Sequence, residues 1–409
     1  MPVRSLSDEL LERLVARLGT PLYVYHTDII GRRLADLQGF DVIRYAQKAN
    51  SNLALLAWMR GRGVQVDTVS AWEAHRALRA GFKEHEIVFT ADLFDRPALS
   101  LLERHDIPVN LGSPDMIEQY VTVRPGHNIT LRINPGFGHG HDRKVSTGGE
   151  QSKHGIWHEQ LPQAVVRAGR AGLRVTGIHM HIGSGSDFEH LSRVRGAMTE
   201  AVLTTGEQVT TLSVGGGLPV PYRPEEQPFD VERYCAVWRE TKAQLETALG
   251  HDLVMEVEPG RYLTAEAGLL LTEVRGVKTS GGLNYILVDA GFDNLVRPAL
   301  YGAYHHISIL GRDDEPTAPR VVAGPLCESA DVFTQTKGGV IEPRELPAAR
   351  VGDILCLHNA GAYAASMASN YNSRPLAAEV LVEGDQARLV RERQDLDDLL
   401  AREVDRPVE

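Results

Sequence analysis

Several side chains able to do chemistry come directly after strand-like runs of the sequence. Lys48 follows DVIRYA (41–46), His179 and His181 lie within VTGIHMHIGS, and the glycines 215–217 follow TLSV. The two-residue period of a strand predicts that Lys48 points inward at the strand end. A lysine held there, partly out of water, can act as a nucleophilic amine that forms a Schiff base. A glycine run lets backbone N–H groups approach a phosphate closely. Taken singly, a surface lysine and a tight turn are the simpler interpretations.

The segment EPGR (258–261) ends another strand-like run. Its carboxylate can face the ring nitrogen of a pyridine cofactor and keep that nitrogen protonated. Its guanidinium offers a planar fork for a phosphate or a carboxylate. His181 is then expected to stack on the ring, and Ser184 to reach a phosphate. A salt bridge at a turn is the alternative interpretation of EPGR.

The pair His179 and His181 also suits a metal site like those of metal-dependent hydrolases. Such a site needs further ligands at other strand ends, and Asp67 is available. Lys48, the glycine run and Arg261 have no evident role in it, which favours the cofactor interpretation.

Residues 136–155 form a long loop rich in Gly, His and Ser. A loop of this length after a barrel strand is typical of an active-site lid, or else of a disordered insertion. His139 and His141 within it are interpreted as solvated side chains rather than metal ligands.

Cys327 and Glu328 lie in the predicted turn of GPLCESADVF. A cysteine beside an acid in a turn can be a proton donor, and a small buried thiol is the alternative. Tyr363 and the segment 369–375 form polar, aromatic turns that can bind a phosphate or pack at an interface.

The elements that must position these groups alternate between residues 41 and 259. Eight strand-like runs are separated by segments with apolar residues at three- and four-residue intervals. This predicts a (β/α)8 barrel at 27–265, with a doubly wound open sheet as the alternative. Beyond it, strand-like runs without intervening helices predict a mainly antiparallel β-domain at 266–409. Residues 1–26 are expected to pack on that domain.

The composition limits the classes of partner and compartment. The chain has 409 residues and a formal net charge of -11, which argues against nucleic acid or an acidic membrane as the main partner. Three widely spaced cysteines indicate no disulfide framework and favour a reducing compartment. No apolar run approaches the roughly 20 residues of a membrane helix, and the amino terminus lacks the apolar core of a signal peptide. A cytoplasmic protein is expected.

Ten strings, in order between about residues 20 and 393, closely resemble those of the diaminopimelate decarboxylases. They are YAQKANSN, NPGFGHGH, STGGEQSKHGIW, HMHIGSG, GGGLPVPY, EPGR, DAGF, RPALYGAYHHI, GPLCES and SMASNYNSRP. That family belongs to the alanine-racemase-like, fold type III pyridoxal-phosphate decarboxylases. The resemblance implies decarboxylation of meso-2,6-diaminopimelate to L-lysine, with pyridoxal 5'-phosphate as cofactor and no metal.

The resemblance also implies roles for particular residues. Lys48 resembles the Schiff-base lysine, His181 the residue stacked on the pyridine ring, and Cys327 the proton donor. In the family that donor comes from the other chain of a head-to-tail homodimer, so each active site needs both chains. The implied cofactor contacts are Lys48, His181, Ser184, Gly216, Gly217, Glu258, Pro259, Gly260, Arg261 and Tyr363. The implied substrate ligands are Arg261, Arg297, Tyr301, Glu328 and Tyr363.

Two positions depart from the family pattern. Ala330 replaces the glycine usual in the string C-E-S-G-D, and it would cost stability or shift Cys327 if the backbone there needs a positive φ. Residues 89–95, FTADLFD, lack the usual F-T-G-N pattern, which is interpreted as the mark of a subgroup. Related decarboxylases acting on ornithine, arginine or a carrier-bound glutamyl group remain alternatives. So does a cofactor-binding homologue without catalysis, although the presence of both Lys48 and Cys327 argues against it.

Overall fold

A computed structural model describes residues 6–138, 148–181, 183 and 188–407. The chain forms two compact units. One comprises Arg32–Val220 and Pro228–Leu263, and the other comprises Met1–Gly31, Pro221–Gln227 and Thr264–Glu409. The division into domains at 27–265 and 266–409 stays a prediction about which segments fold independently.

The helices and strands are numbered in chain order. The helices are α1 (Asp8–Leu18), α2 (Thr27–Ala35), α3 (Leu53–Arg60), α4 (Ala71–Arg79), α5 (Arg96–Arg104), α6 (Asp115–Val123), α7 (Leu161–Arg170), α8 (Phe188–Thr205), α9 (Val231–Leu249), α10 (Arg261–Thr264), α11 (Arg297–Tyr301) and α12 (Leu396–Leu400). The strands are β1 (Leu22–His26), β2 (Val42–Ala46), β3 (Gln65–Thr68), β4 (Ile87–Ala91), β5 (Val109–Leu111), β6 (Asn128–Asn134), β7 (Ile156–Trp157), β8 (Arg174–His179), β9 (Thr211–Ser213), β10 (Val254–Val257), β11 (Gly268–Ser280), β12 (Leu283–Val288), β13 (Ile307–Ile309), β14 (Thr317–Ala323), β15 (Arg344–Pro347), β16 (Ile354–Leu357), β17 (Ala378–Glu383) and β18 (Gln386–Arg391).

The first unit is a closed barrel of parallel strands, which confirms the predicted (β/α)8 fold. Its strands follow the order β5-β4-β3-β2-β10-β9-β8-β6, and pairing of β5 with β6 closes the ring. The short strand β7 adds to β6 outside this ring. Each barrel strand is followed by a helix. Parallel pairing brings all eight carboxyl ends to one end of the barrel, called here the barrel mouth.

The helices of this unit bury one apolar face, as the sequence spacing predicts. In α5 the carboxylate of Asp95 caps the first turn by accepting the N–H of Ala98 at 2.8 Å. Ala98, Leu101 and Leu102 are buried on one side of the helix, as expected for an amphipathic helix.

Charged side chains fill part of the barrel interior. Arg44 of β2 donates Nε and Nη2 to the two carboxylate oxygens of Glu256 on β10, each at 2.7 Å. Both residues are buried. Glu256 and Glu258 are two residues apart, so the strand period turns both carboxylates inward. The ion pair lies one layer below the mouth, and Glu258 lies in the layer nearer to it.

The second unit is a mainly antiparallel sheet, in agreement with the predicted β-domain. Its longest path is β15-β14-β12-β11-β1-β17-β18, and β16 joins β11 to β13. β1, from the amino-terminal run TPLYVYH, pairs antiparallel with β11 and parallel with β17. Leu11 and Leu14 of α1 pack in one apolar cluster with residues of this sheet. The amino-terminal segment is therefore an integral part of this unit. Within the described ranges, no helix is both long and apolar enough to cross a bilayer.

Candidate active site

Lys48 lies at the barrel mouth, directly after β2. A single 3-10 turn, Gln47–Ala49, follows the strand and leaves the Lys48 side chain exposed. This turn packs on Gly260, where a Cβ atom would lie 3.2 Å from the Cβ atoms of both Ala46 and Ala49. The amine therefore extends from a firmly packed turn.

His181 and the glycine turn 215–217 are joined by a hydrogen bond. The backbone N–H of Gly216 donates to Nδ1 of His181 at 2.8 Å. Burial lowers the pKa of His181 well below its usual value, and the positive charges of Lys48 and Arg132 lower it further. The imidazole is thus a neutral ring at neutral pH, suited to stacking against another flat ring.

The glycine turn has no room for side chains. A Cβ atom at Gly216 would lie 2.2 Å from the carbonyl oxygen of Glu258, and one at Gly215 would lie 2.5 Å from that of Met180. Gly215 and Gly217 have φ values of 65° and 101°, a region that favours glycine. The turn therefore presents bare backbone at the mouth, as a phosphate-binding turn requires.

Glu258 is a buried carboxylate held by two hydrogen bonds. Its Oε2 is 2.8 Å from Nε2 of His179, and its Oε1 accepts the hydroxyl of Ser213 at 2.9 Å. Burial alone would raise the pKa of Glu258, but the charge and hydrogen bond of His179 and the Ser213 hydroxyl lower it to about 2. Glu258 is therefore ionised across the physiological range.

The rest of the 258–261 segment also lies at the mouth. Pro259 accepts the backbone N–H of Ala46 at 3.2 Å, which ties the segment to the end of β2. Arg261 begins α10 and is partly buried. Ser184 and residues 139–147 of the loop 136–155, including His139 and His141, lie outside the described residues.

In the second unit, Arg297 is fixed by aromatic and histidine neighbours. It begins α11, and its Nη1 lies 2.9 Å from Nε2 of His305. Its guanidinium carbon lies 4.7 Å from the centre of the Tyr222 ring. Tyr301, at the end of the same helix, is partly buried. These contacts orient a buried cation of the kind that binds a carboxylate.

Cys327 and Glu328 lie exposed in a turn that Asp331 holds. Asp331 accepts the backbone N–H of Leu326 at 2.7 Å, and the backbone N–H of Cys327 donates to Asn372 at 3.0 Å. Ala330 is not among the residues with positive φ. The alanine in place of the family's glycine therefore imposes no left-handed strain here.

Tyr363 adopts a φ of 57°, which is unusual for a residue with a side chain. The neighbouring Gly361 allows very close packing, since a Cβ atom there would lie 1.8 Å from the carbonyl oxygen of Thr264. Strained backbone of this kind is concentrated at ligand-binding sites, and the role of Tyr363 stays a prediction.

Three features of the site have no counterpart in the sequence analysis. The first is the bond of His179 and Ser213 to Glu258, which a two-residue strand pattern does not specify. The second is Asp92, in the unusual string FTADLFD, which accepts the N–H of Gly155 at 2.9 Å and contacts His154. The third is the contact of Tyr222 and His305 with Arg297. The departure at 89–95 was the one signal that pointed toward Asp92.

The histidine pair takes separate partners rather than a common ligand. His179 bonds to Glu258, and His181 bonds to the backbone of Gly216. Across the part of the chain that the structure describes, no three His, Cys, Asp or Glu side chains are grouped to hold a metal ion.

Comparison with known proteins gives consistent matches over nearly the whole chain. Residues 31–265 match the family described as pyridoxal-dependent decarboxylase, pyridoxal binding domain. The chain is 52% identical to the diaminopimelate decarboxylase of Escherichia coli K12, over 98% of this chain and 97% of that protein. It is 50% identical to the diaminopimelate decarboxylase of Streptomyces coelicolor, over 97% and 92%.

Solved structures agree with these relatives. A crystal structure of diaminopimelate decarboxylase matches with a TM-score of 0.94 and 51% identity, over 98% of both chains. The Helicobacter pylori diaminopimelate decarboxylase complexed with L-lysine matches with a TM-score of 0.85 and 30% identity, over 96% of this chain and 98% of that one. The similarity therefore includes both the barrel and the β-rich unit.

Proposed function

The chain belongs to the diaminopimelate decarboxylases, a family of pyridoxal-dependent decarboxylases, and we propose that it converts meso-2,6-diaminopimelate to L-lysine and carbon dioxide, the last step of lysine biosynthesis. One observation carries the proposal. The barrel mouth combines an amine (Lys48), a neutral imidazole (His181) and an ionised carboxylate (Glu258) around a bare glycine turn.

Pyridoxal 5'-phosphate fits these residues. Glycine backbone at 215–217 suits its phosphate, and the face of His181 suits its ring. Ser184 and Tyr363 are phosphate contacts only by the family resemblance. Glu258 is charged and therefore suits a protonated ring nitrogen. When bound, this cofactor supplies an aldehyde that condenses with amines and a protonated pyridine that accepts the electrons released with carbon dioxide.

The side chains of this protein bind the cofactor, hold protons and orient the substrate. Lys48 would hold the cofactor through its amine, the kind of group with which an aldehyde condenses. Glu258, as an ionised carboxylate, would favour a proton on the ring nitrogen. After carbon dioxide leaves, Cys327 delivers a proton from Sγ to the substrate Cα. The binding side chains would orient the substrate carboxylate that leaves.

Substrate choice depends on the distal amino-acid centre of diaminopimelate. Arg261 and Arg297 are suited to its carboxylate, Glu328 to its ammonium, and Tyr301 to a further hydrogen bond. Arg297 is already oriented by His305, so the cost of fixing it is not incurred on binding. An analogue without the distal carboxylate would leave buried charge unpaired, which predicts strong discrimination against it.

Exposed residues on both units support a homodimer with shared active sites. Cys327 is exposed in its turn, whereas a proton donor to a carbanion needs a site from which water is excluded. On the barrel unit, Trp72 and Leu93 follow the ends of β3 and β4 and are 72% and 67% exposed. Large apolar side chains at this end of a barrel indicate a surface that a second copy of the chain covers.

The free thiols agree with a reducing, cytoplasmic location.

Mixing two inactive variants tests this arrangement. Lys48→Ala and Cys327→Ala should each abolish turnover. If the two residues of a site come from different chains, random exchange of chains gives mixed dimers with one intact site. About a quarter of the wild-type activity should then return. No recovery, with chain exchange shown by native mass spectrometry, would contradict the shared site.

The proposed reaction is tested by carbon dioxide release from purified protein. Release from meso-2,6-diaminopimelate should require added pyridoxal phosphate in the apoprotein, and a metal chelator should leave it unchanged. Ornithine, arginine and L-lysine serve as matched substrates, and each should release far less. A preference for any of these three, or release that depends on a metal and not on the cofactor, would overturn the assignment.

A further inference from the structure

Glu258 is the centre of a closed hydrogen-bond network inside the barrel. Its two oxygens each accept one bond, from His179 at 2.8 Å and from Ser213 at 2.9 Å. His179 and Ser213 are each 1% exposed, and Glu258 is 5% exposed. A carboxylate has about four acceptor positions, so each oxygen keeps capacity for one more donor at the mouth.

The hydrogen bond to Glu258 determines which ring nitrogen of His179 carries the proton. Nε2 faces a carboxylate oxygen, so the proton is on Nε2 and this nitrogen is the donor. Nδ1 is buried and has no hydrogen-bond partner among the residues described. Orientation of this ring therefore depends on its bond to Glu258, and the bond has a fixed direction, from His179 to the carboxylate.

A second buried carboxyl group lies on β3, which β2 separates from β10 in the barrel. Asp67, on β3, is 5% exposed, and its Oδ1 has no hydrogen-bond partner among the described residues. Burial and the negative charge of Glu258 raise the pKa of Asp67 well above its usual value, although Thr90 and Lys48 act in the opposite direction. A negative charge on Glu258 therefore disfavours a second negative charge on Asp67.

Donors decide which of the two groups carries that charge. Glu258 accepts from His179 and Ser213, whereas the hydroxyl of Thr90 is the side-chain hydrogen-bond partner of Asp67. Hydrogen bonds to the charged form of a carboxyl group favour that form. The two donors therefore favour the ionised form of Glu258, whereas burial disfavours a charge on Asp67.

We propose that His179 is a positioning residue of the decarboxylation, which fixes the negative charge on Glu258 rather than on Asp67 and so keeps the cofactor's ring nitrogen protonated. This inference rests on the proposed function, because it assigns Glu258 to that nitrogen. His179 itself touches neither the reacting bond nor the proton that is transferred. Its effect passes through the carboxylate that it binds.

Without the hydrogen bond from His179, Glu258 keeps only the hydrogen bond from Ser213. Ionisation of Glu258 is then no longer favoured over ionisation of Asp67. A neutral Glu258 no longer favours a proton on the ring nitrogen, so the bound ring becomes a weaker electron acceptor. Loss of a group that orients a buried functional ligand lowers activity by about 10- to 100-fold. The same range is expected for kcat of His179→Leu, with KM changed much less.

The test uses the full-length protein loaded with pyridoxal phosphate labelled with nitrogen-15 in the ring. The nitrogen-15 chemical shift distinguishes a protonated from an unprotonated ring nitrogen without any turnover. Wild-type protein should show a protonated nitrogen at neutral pH. His179→Leu should show an unprotonated one. His179→Gln, which places an amide N–H near the position of Nε2, should restore both the protonated shift and most of kcat.

A purely structural role for His179 would give a different result. In that case His179→Leu would lower the thermal midpoint but keep the protonated shift and kcat per folded molecule, which would overturn the proposal. If His179→Leu does not fold, Ser213→Ala supplies the second measurement. It should move the nitrogen toward the unprotonated shift, and an unchanged shift would count against the network.

Failure of the proposed function would be recognised separately. Wild-type protein that binds no pyridoxal phosphate, or that releases no carbon dioxide from diaminopimelate, would remove the premise. Wild-type protein that does both, while His179→Leu retains a protonated ring nitrogen, would leave the function intact and refute the role of His179.

Discussion

Replacing Gly216 by alanine tests whether the glycine turn at the barrel mouth is shaped for close backbone approach. The added Cβ would lie 2.2 Å from the carbonyl oxygen of Glu258 and 3.3 Å from Cε1 of His181. Real Cβ atoms essentially never approach within 3.0 Å, so the turn and the Glu258 backbone must separate by roughly 0.8 Å. That movement displaces the carboxylate and the imidazole that face the cofactor ring.

Overpacking of a closely packed site costs about 1–3 kcal/mol of free energy. If this cost falls on the cofactor-bound form, the dissociation constant for pyridoxal phosphate should rise about 5- to 140-fold, since 1.4 kcal/mol corresponds to a factor of ten. Titration of the apoprotein, followed by the visible absorption of the bound cofactor, measures this constant. The thermal midpoint of the apoprotein should fall by about 2–4 °C for each kcal/mol lost from the folded form itself.

Gly196→Ala is the matched control. Gly196 is exposed in the middle of α8, and no atom lies within 4 Å of the Cβ that alanine would add. Alanine there should raise stability by about 0.5–1 kcal/mol and leave cofactor affinity unchanged. A Gly216→Ala protein with the affinity and thermal midpoint of wild type would refute the packing argument.

Three further predictions concern charged side chains. Arg44→Met leaves Glu256 buried without its partner, so the free energy of unfolding in urea should fall by about 3–5 kcal/mol, whereas an unchanged value would show that water replaces the ion pair. The pKa of Glu258 is lowered from 4.5 to about 2. Ionised Glu258 should therefore add about 3 kcal/mol to the free energy of unfolding above pH 4.5, and this contribution should be lost as the pH falls toward 2. Glu258→Gln should remove that part of the pH dependence of unfolding, and parallel curves for the two proteins would contradict it. Arg297→Lys loses the planar fork and should raise KM for diaminopimelate about 10- to 100-fold, whereas Arg275→Lys at an exposed ion pair should not change KM.

Most of the fold could be predicted because local patterns determine it. The eight barrel strands begin and end within a few residues of the runs identified in the sequence, because buried parallel strands need short apolar runs between amphipathic helices. The sequence also indicated that the run TPLYVYH adds to the β-rich unit. It did not indicate that β1 lies between β11 and β17, because strand order depends on long-range pairing that no local pattern records.

The candidate site was predictable in part. Lys48, His181, Gly216 and Glu258 were all assigned to one end of the barrel, because a parallel barrel brings every carboxyl strand end to the same mouth. The inward direction predicted for Lys48 assumed that β2 continues to residue 48, whereas a 3-10 turn intervenes.

Partners across strands could not be predicted. His179 was considered only as a metal ligand, and its bond to Glu258 depends on the register of β8, β9 and β10. Such contacts join residues far apart in sequence, and side-chain type alone does not specify them. The same reason applies to His305, which contacts Arg297 through a turn of the β-rich unit.

The most direct test of the central claim is chemical trapping of the cofactor on its lysine. Protein loaded with pyridoxal phosphate is treated with borohydride, digested, and analysed by tandem mass spectrometry. We expect the pyridoxyl group on the peptide that contains Lys48, with no label in Lys48→Ala. A label on Lys153 or Lys242 with Lys48 unmodified, or no label in a protein that still releases carbon dioxide from diaminopimelate, would contradict the account.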